Sequence, residues 1–254
     1  MTEKDVAAGA KKWQEFAWAL KEELKLEALP VGISIIEGKS ANAQEKVRIC
    51  KAFLEAAKGK TIEINADNNA CFGAAWHLGF HRLQKDSKVM QMVRKFVVEG
   101  EKLFSSYEVL DTLMSQIEEV PDNSDSHFLL CPLEKCEYKP QIVLFVCNPL
   151  EACRLLTLLT FIDGVMPKIK IGGPTCRMAV MYPLLSGQAN ISFYDYTARK
   201  LCNVDKDKLL VVIPYQRIAK VVESIEKCTA GRAKMEYPQE FREFLQKRLA
   251  KTKR

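Results

Sequence analysis

Nine cysteines punctuate a chain of 254 residues, at positions 50, 71, 131, 136, 147, 153, 176, 202 and 228. In a secreted protein they would pair as disulfides. The number is odd, however, and the opening Met1-Thr2-Glu3-Lys4-Asp5 lacks the basic-then-apolar pattern of a secretion signal. A reducing, cytoplasmic setting is therefore expected, where cysteines serve as buried hydrophobes, metal or cluster ligands, or reactive thiols.

Cys71 and Cys176 share a setting. Each follows a turn, Asp67-Asn68-Asn69-Ala70 or Gly172-Gly173-Pro174-Thr175, and each opens an expected helix. Free N–H groups and the helix dipole at such a start favour a thiolate, lowering the thiol pKa. The competing reading is that a small side chain packs the helix start against a sheet. Cys50 and Cys153 fall on apolar helical faces, 21 and 23 residues before Cys71 and Cys176. Together, Cys50, Cys71, Cys153 and Cys176 make two matched pairs, a ligand set that suits an iron–sulfur cluster or tetrahedral zinc. Arg48, Arg177 and Arg199 are the cations placed to hold an anionic cofactor or substrate beside them.

Other patterns are weaker. Cys131 and Cys136 form a C-x4-C pair with no second pair at ribbon spacing. Cys71, His77 and His81 form C-x5-H-x3-H, but Leu78 stands where a zinc hydrolase has its Glu, and Gly79 weakens the helix. The Gly172–Thr175 turn reads as a structural cap before it reads as a phosphate cradle; it is neither G-x-G-x-x-G nor a Walker A loop. Cys147, Cys202 and Cys228 read as packing residues.

These residues need elements to position them. Apolar periodicity predicts helices over 5–26, 44–58, 71–80, 86–101, 150–162, 176–185, 216–228 and 238–251, with a less regular stretch at 106–118. Strands are expected at 31–35, 61–65, 128–131, 141–147, 168–171, 190–194 and 209–213. The alternation implies an α/β fold: a mixed sheet with flanking helices and extra N- and C-terminal helices. The order strand, helix with cysteine, short strand, turn, cysteine-led helix occurs twice. It suggests two pseudo-repeated lobes, 28–120 and 127–230, inside one domain spanning 1–254, with the polar Pro121–Ser126 stretch between them.

Composition bounds the rest. No apolar run reaches the ~18 residues of a membrane span. The net charge of +6 gathers partly at Lys247, Arg248, Lys251, Lys253 and Arg254, a pattern of solvated helix ends that gives no support to nucleic-acid binding.

Several segments carry a family resemblance: Pro30-Val31-Gly32-Ile33; Arg48-Ile49-Cys50-Lys51-Ala52; Cys71-Phe72-Gly73-Ala74-Ala75 with Leu78-Gly79-Phe80; Pro132-Leu133-Glu134; Asn148-Pro149; Gly173-Pro174-Thr175-Cys176; Ser192 to Arg199; and Val211-Val212-Ile213-Pro214. In their order and spacing, over about 28–226, the chain resembles the domain of unknown function 169 family. The resemblance implies no activity. It implies that Cys50, Cys71 and Cys176 lie on family cysteine positions, that relatives often lack Cys at position 153, and that Cys131 and Cys136 are features of this chain. The Ser192–Arg199 loop lacks the Gly and Cys residues of many relatives.

Three functions stay open. One is a cysteine-ligated iron–sulfur or metal site with a redox or small-ligand-binding role, served by a redox partner or a small anionic ligand. Another is a non-catalytic module for a small ligand or partner, holding no cofactor, whose cysteines are structural. The third is a thiol-dependent enzyme acting on an anionic substrate through Cys71 or Cys176.

Overall fold

Two strands are buried at every position: β4 (Ile142–Cys147) and β6 (Leu209–Pro214). A strand with apolar residues on both faces must be covered on both, and this requirement sets the architecture. The computed structural model describes residues 12–38, 40, 45–81 and 87–252. Over them, β1 (Val31–Glu37), β2 (Ile62–Ile64), β3 (Ser126–Pro132) and β5 (Asn190–Ser192) join β4 and β6 in a six-stranded sheet of order β2-β3-β1-β4-β6-β5. Every pairing in that sheet is antiparallel. The fold is α/β as expected; strand direction, which periodicity does not encode, makes the sheet antiparallel rather than mixed.

The two faces follow from strand alternation. Ile142, Leu144 and Val146 of β4 join Val31, Ile33, Phe128, Leu130, Leu210 and Val212 in one core. Val143, Phe145 and Cys147 point the other way, with Val211 and Ile213, into a second. The first core is covered by α2 (Ile49–Ala57), α3 (Phe72–His77), the π-wound turn Arg177–Met181 and α8 (Tyr196–Cys202). The second is covered by the helix over 12–23 (α1, its last turn Ala19–Glu23 π-wound), α6 (Pro149–Phe161) and α9 (Tyr215–Ser224). Peripheral helices are α4 (Lys88–Lys95, continued by a π turn Phe96–Gly100), α5 (Tyr107–Ser115), α7 (Tyr182–Ser186) and α10 (Gln239–Thr252). Residues 5–11 of the first expected helix, and parts of the 38–42 loop and of the C-terminus, lie outside the described residues.

Three local outcomes differ from the sequence reading. Residues 168–171 are no strand, although they run beside β5. Their backbone pairs with a side chain: Asn190 Oδ1 accepts from Lys170 N–H at 2.9 Å, and Asn190 Nδ2 donates to Lys170 O at 3.1 Å. A loop was expected through Arg199, but α8 forms there because Asp195 caps it, accepting from Ala198 N–H at 2.8 Å. The polar 121–126 stretch is pinned: buried Asn123 donates its Nδ2–H to Leu78 O at 2.7 Å.

The cysteine-bearing helices break the expected repeat. α2 with Cys50 covers the first core, whereas α6, which carries Cys153, covers the second.

Candidate functional site

Cys50 and Cys71 are brought together by a short parallel contact that precedes both. Val47 bridges Asn69, with Val47 N–H donating to Asn68 O and Ala70 N–H donating to Val47 O, each at 3.0 Å. Arg48 is extended (φ −83°, ψ 135°) and ends this contact; α2 begins at the next residue with no side chain capping its first N–H groups. Asn69 brackets Cys71, accepting from its N–H at 3.2 Å and donating to its carbonyl at 2.7 Å. Cys176 arrives from the other half of the chain, behind buried Thr175, and packs on the same core as Cys50 and Cys71. Cys202, at the end of α8, completes the group.

These four thiols feel one another. Burial pushes the Cys50 thiol well above its ordinary pKa, and the charges of Cys176, Asp195, Cys202 and Cys71 push the same way. Burial, then Cys71 and Asp195, raise Cys176. This reverses the thiolate expected there at a helix start. The N–H groups of Arg177 and Cys176 do lower its pKa, but desolvation outweighs them, as it does for fully buried groups. Tyr194 is buried in the same region, its pKa raised by burial and then by Cys50 and Cys202; its hydroxyl is buried and has no hydrogen-bond partner among the described residues.

On the outer side of this group lies an open cleft of about 380 Å³, lined by Lys46, Val47, Arg48, Lys51, Ala70, Leu201, Cys202 and Asn203. Its charged residues are all cations. Lys51 also reaches Glu55 at 3.4 Å. The cationic field extends to sulfur: burial raises the Cys202 thiol, while Arg48 and Lys51 pull it down. The start of α2 adds its dipole at the same place.

The three candidate arginines have different roles. Arg48 lines the cleft. Arg177 is buried on the Cys176 side and donates to His77 O at 3.3 Å. Arg199 donates to the carbonyls of Tyr194, Asp205, Lys206 and Lys208, which ties α8 to the loop that follows it.

Cys153 is exposed on α6, across the sheet from Cys50, Cys71 and Cys176. Among the described residues, no three His, Cys, Asp or Glu side chains are arranged to hold a metal ion, so the expected cluster or zinc finds no support there. His77 and His81 do not share a helical face, because α3 ends at His77 and Gly79 takes a left-handed φ of +79°. Gly172 and Gly173 also have positive φ, but the following Thr175 N–H donates to Asp195 at 3.3 Å, so the turn is structural. A second cleft of about 580 Å³, on the far side of the sheet, is lined by Glu22, Glu23, Lys25, Arg154, Gly231 and Arg232. Arg154 donates to Ala230, Leu24 and Gly231 carbonyls, and Arg232 pairs with Glu23 and Glu226, so its arginines are already engaged.

Cys202, Asp195 and Tyr194 are the neighbours that sequence reasoning passed over. Asp195 carried a readable signal, an N-cap before Thr197-Ala198-Arg199. Cys202 carried none.

The model of the DUF169 family, described as uncharacterised ArCR, matches residues 19–224. No curated protein and no solved structure matches the chain. No helix among the described residues is long and apolar enough to cross a membrane.

Proposed function

We propose that this chain, which belongs to the DUF169 family, binds a small anionic molecule in the cleft between the start of α2 and the end of α8. One observation carries the reading: Lys46, Arg48 and Lys51 line the cleft with no carboxylate in its walls among the described residues, at a helix start whose N–H groups have no side-chain cap there. A volume of about 380 Å³ lies at the small end of ligand sites, which run from ~300 to 1,000 Å³, and suits a compact phosphate- or carboxylate-bearing molecule. Val47, Ala70, Leu201 and the Cys202 thiol supply the apolar part of its wall.

Titration calorimetry with inorganic phosphate, pyrophosphate and a nucleoside monophosphate tests this. At least one is expected to bind, and Arg48→Gln is expected to weaken it about tenfold or more, since hydrogen bonds to charged groups contribute ~1.5–3 kcal/mol. Affinity that is unchanged in Arg48→Gln, or insensitive to salt, would refute it.

A second reading, thiol chemistry on the bound anion, is favoured by one feature. Cys71 Sγ and His77 Cδ2 lie 3.9 and 4.0 Å from the point where Gly73 would carry a Cβ, so a partly exposed thiol and an imidazole edge flank the same glycine. With Cys176 buried and its pKa raised, Cys71 is the nucleophile this reading requires. Alkylation of Cys71 that phosphate or pyrophosphate fails to slow would count against it.

A further inference from the structure

Cys136 puts its sulfur where a side chain at position 32 would be. Gly32 lies opposite Cys131 in the β1–β3 pairing, and a Cβ at Gly32 would collide with Cys136 Sγ and lie 3.2 Å from Pro140 Cβ. The chain returns to this point through a single 3-10 turn, Leu133–Lys135, closed by Cys136 N–H donating to Leu133 O at 3.4 Å. The result is two free thiols, 2% and 5% exposed, with sulfurs 2.9 Å apart. Non-bonded carbons keep ~3.5–4.0 Å, and a disulfide is ~2.05 Å. The pair sits in the second core, across the sheet from the cleft, and the proposed anion site makes no use of it.

We propose that Cys131 and Cys136 are a redox-active dithiol, closed to an intramolecular disulfide by a small hydroperoxide. The chemistry balances in two steps. The Cys131 thiol gives up its proton and its sulfur attacks one oxygen of hydrogen peroxide; the O–O bond breaks, the leaving hydroxide takes up that proton as water, and Cys131 becomes a sulfenic acid. Cys136 sulfur then attacks Cys131 sulfur, its proton goes to the departing hydroxide, and water is released as the S–S bond forms. The two thiols lose two electrons and the peroxide gains them, giving one disulfide and two waters.

Either sulfur can donate the hydrogen bond between them. When Cys131 is the thiolate, the Cys136 S–H donates to it, which holds Cys131 below its usual range and Cys136 above its own. In that state Cys131 is the attacking sulfur and Cys136 the resolving one. A peroxide the size of two water molecules suits a site so little exposed, where a bulky disulfide oxidant is hindered.

The test is peptide mapping of the folded protein after limited hydrogen peroxide, with remaining thiols blocked by alkylation under denaturing conditions. The expected product is a single cross-linked species joining positions 131 and 136, formed before exposed Cys153 is modified and reversed by dithiothreitol. In Cys136→Ala, dimedone is expected to trap a sulfenic acid at Cys131. If Cys131 and Cys136 both remain alkylatable while Cys153 or Cys71 is oxidised, or if either pairs with another cysteine, the proposal is overturned. The wild-type map decides the matter even if Cys136→Ala fails to fold.

Discussion

Thr175 and Asp195 hold each other by a reciprocal set of hydrogen bonds. Thr175 Oγ1 donates to Asp195 Oδ2 at 2.7 Å, Asp195 N–H donates to Thr175 Oγ1 at 2.8 Å, and Thr175 N–H donates to Asp195 Oδ2 at 3.3 Å. The same carboxylate caps α8 through its other oxygen. One residue pair thus fixes the segment that delivers Cys176 against the helix that delivers Cys202. Thr175→Val keeps the volume and removes the hydroxyl. It leaves the Asp195 N–H and one carboxylate lone pair unmatched, so a loss of about 1–3 kcal/mol is expected. Urea unfolding with an unchanged m-value measures it; a loss under ~0.5 kcal/mol, the range of an ordinary surface change, would show the pair to be dispensable.

Much of this framework is legible in the sequence. The all-apolar run Ile142–Cys147 read as a strand and 150–162 as the helix after it; the structure adds that Asn148 and Glu151 form the capping box that starts α6. What stayed hidden depended on contacts distant in sequence. The stretch 168–171 has strand periodicity, yet its partner is the side chain of Asn190. The cysteine spacings matched, but a spacing does not say which face of a sheet a helix will cover, so Cys153 parted from Cys50. The cationic cleft joins residues 46–51 to 201–203, a closeness that no local pattern carries.

His77 should make the fold acid-sensitive above the range of the carboxylates. Its imidazole is buried, and burial first, then Arg177, lower its pKa to about 3, with Asp195 opposing. In the unfolded chain a histidine titrates near ~6.5. Below that value the unfolded state binds the proton and the folded state does not. The contribution is therefore complete above pH ~6.5 and declines as pH falls toward ~3, at about 1.4 kcal/mol per pH unit. Between pH 7 and pH 5 the wild type should lose about 2 kcal/mol from this group, and His77→Gln should lose little over the same interval. Denaturant unfolding at the two pH values makes the comparison; equal slopes in both proteins would remove His77 as the cause.

Gly32→Ala should expose how tightly the end of the β1–β3 pair is packed around Cys136. The new methyl meets Cys136 Sγ and Pro140 Cβ, and over-packing of this kind costs about 1–3 kcal/mol. Cys136→Ala alone leaves a small cavity. Combined, the two changes let one methyl occupy the space the sulfur vacates, so the double variant should be more stable than the sum of the singles implies, by about 0.5–3 kcal/mol. A double-mutant cycle from unfolding midpoints reads the coupling directly. Strict additivity would mean that the chain relieves the clash elsewhere.

Alkylation rates should sort the cysteines by burial rather than by position in a helix. Cys153 is exposed and is expected to react first, and partly exposed Cys71 should follow; Cys50 is partly exposed too, but burial of its sulfur raises its pKa, so it should lag behind both. Cys147 is buried, with its pKa pushed up to about 12 by burial first and then Glu151. Cys176 is buried with its pKa raised beside Cys71 and Asp195. Since the thiolate is the reacting form, both should stay unmodified at neutral pH until the chain opens, and their labelling rates should track denaturant concentration. The helix-start reading of Cys176 predicts the reverse, a fast thiolate. Time-resolved mass mapping with iodoacetamide separates the two: if Cys176 labels faster than Cys153 in the folded protein, the local N–H groups outweigh desolvation after all, and the buried, neutral thiol described for Cys176 is wrong.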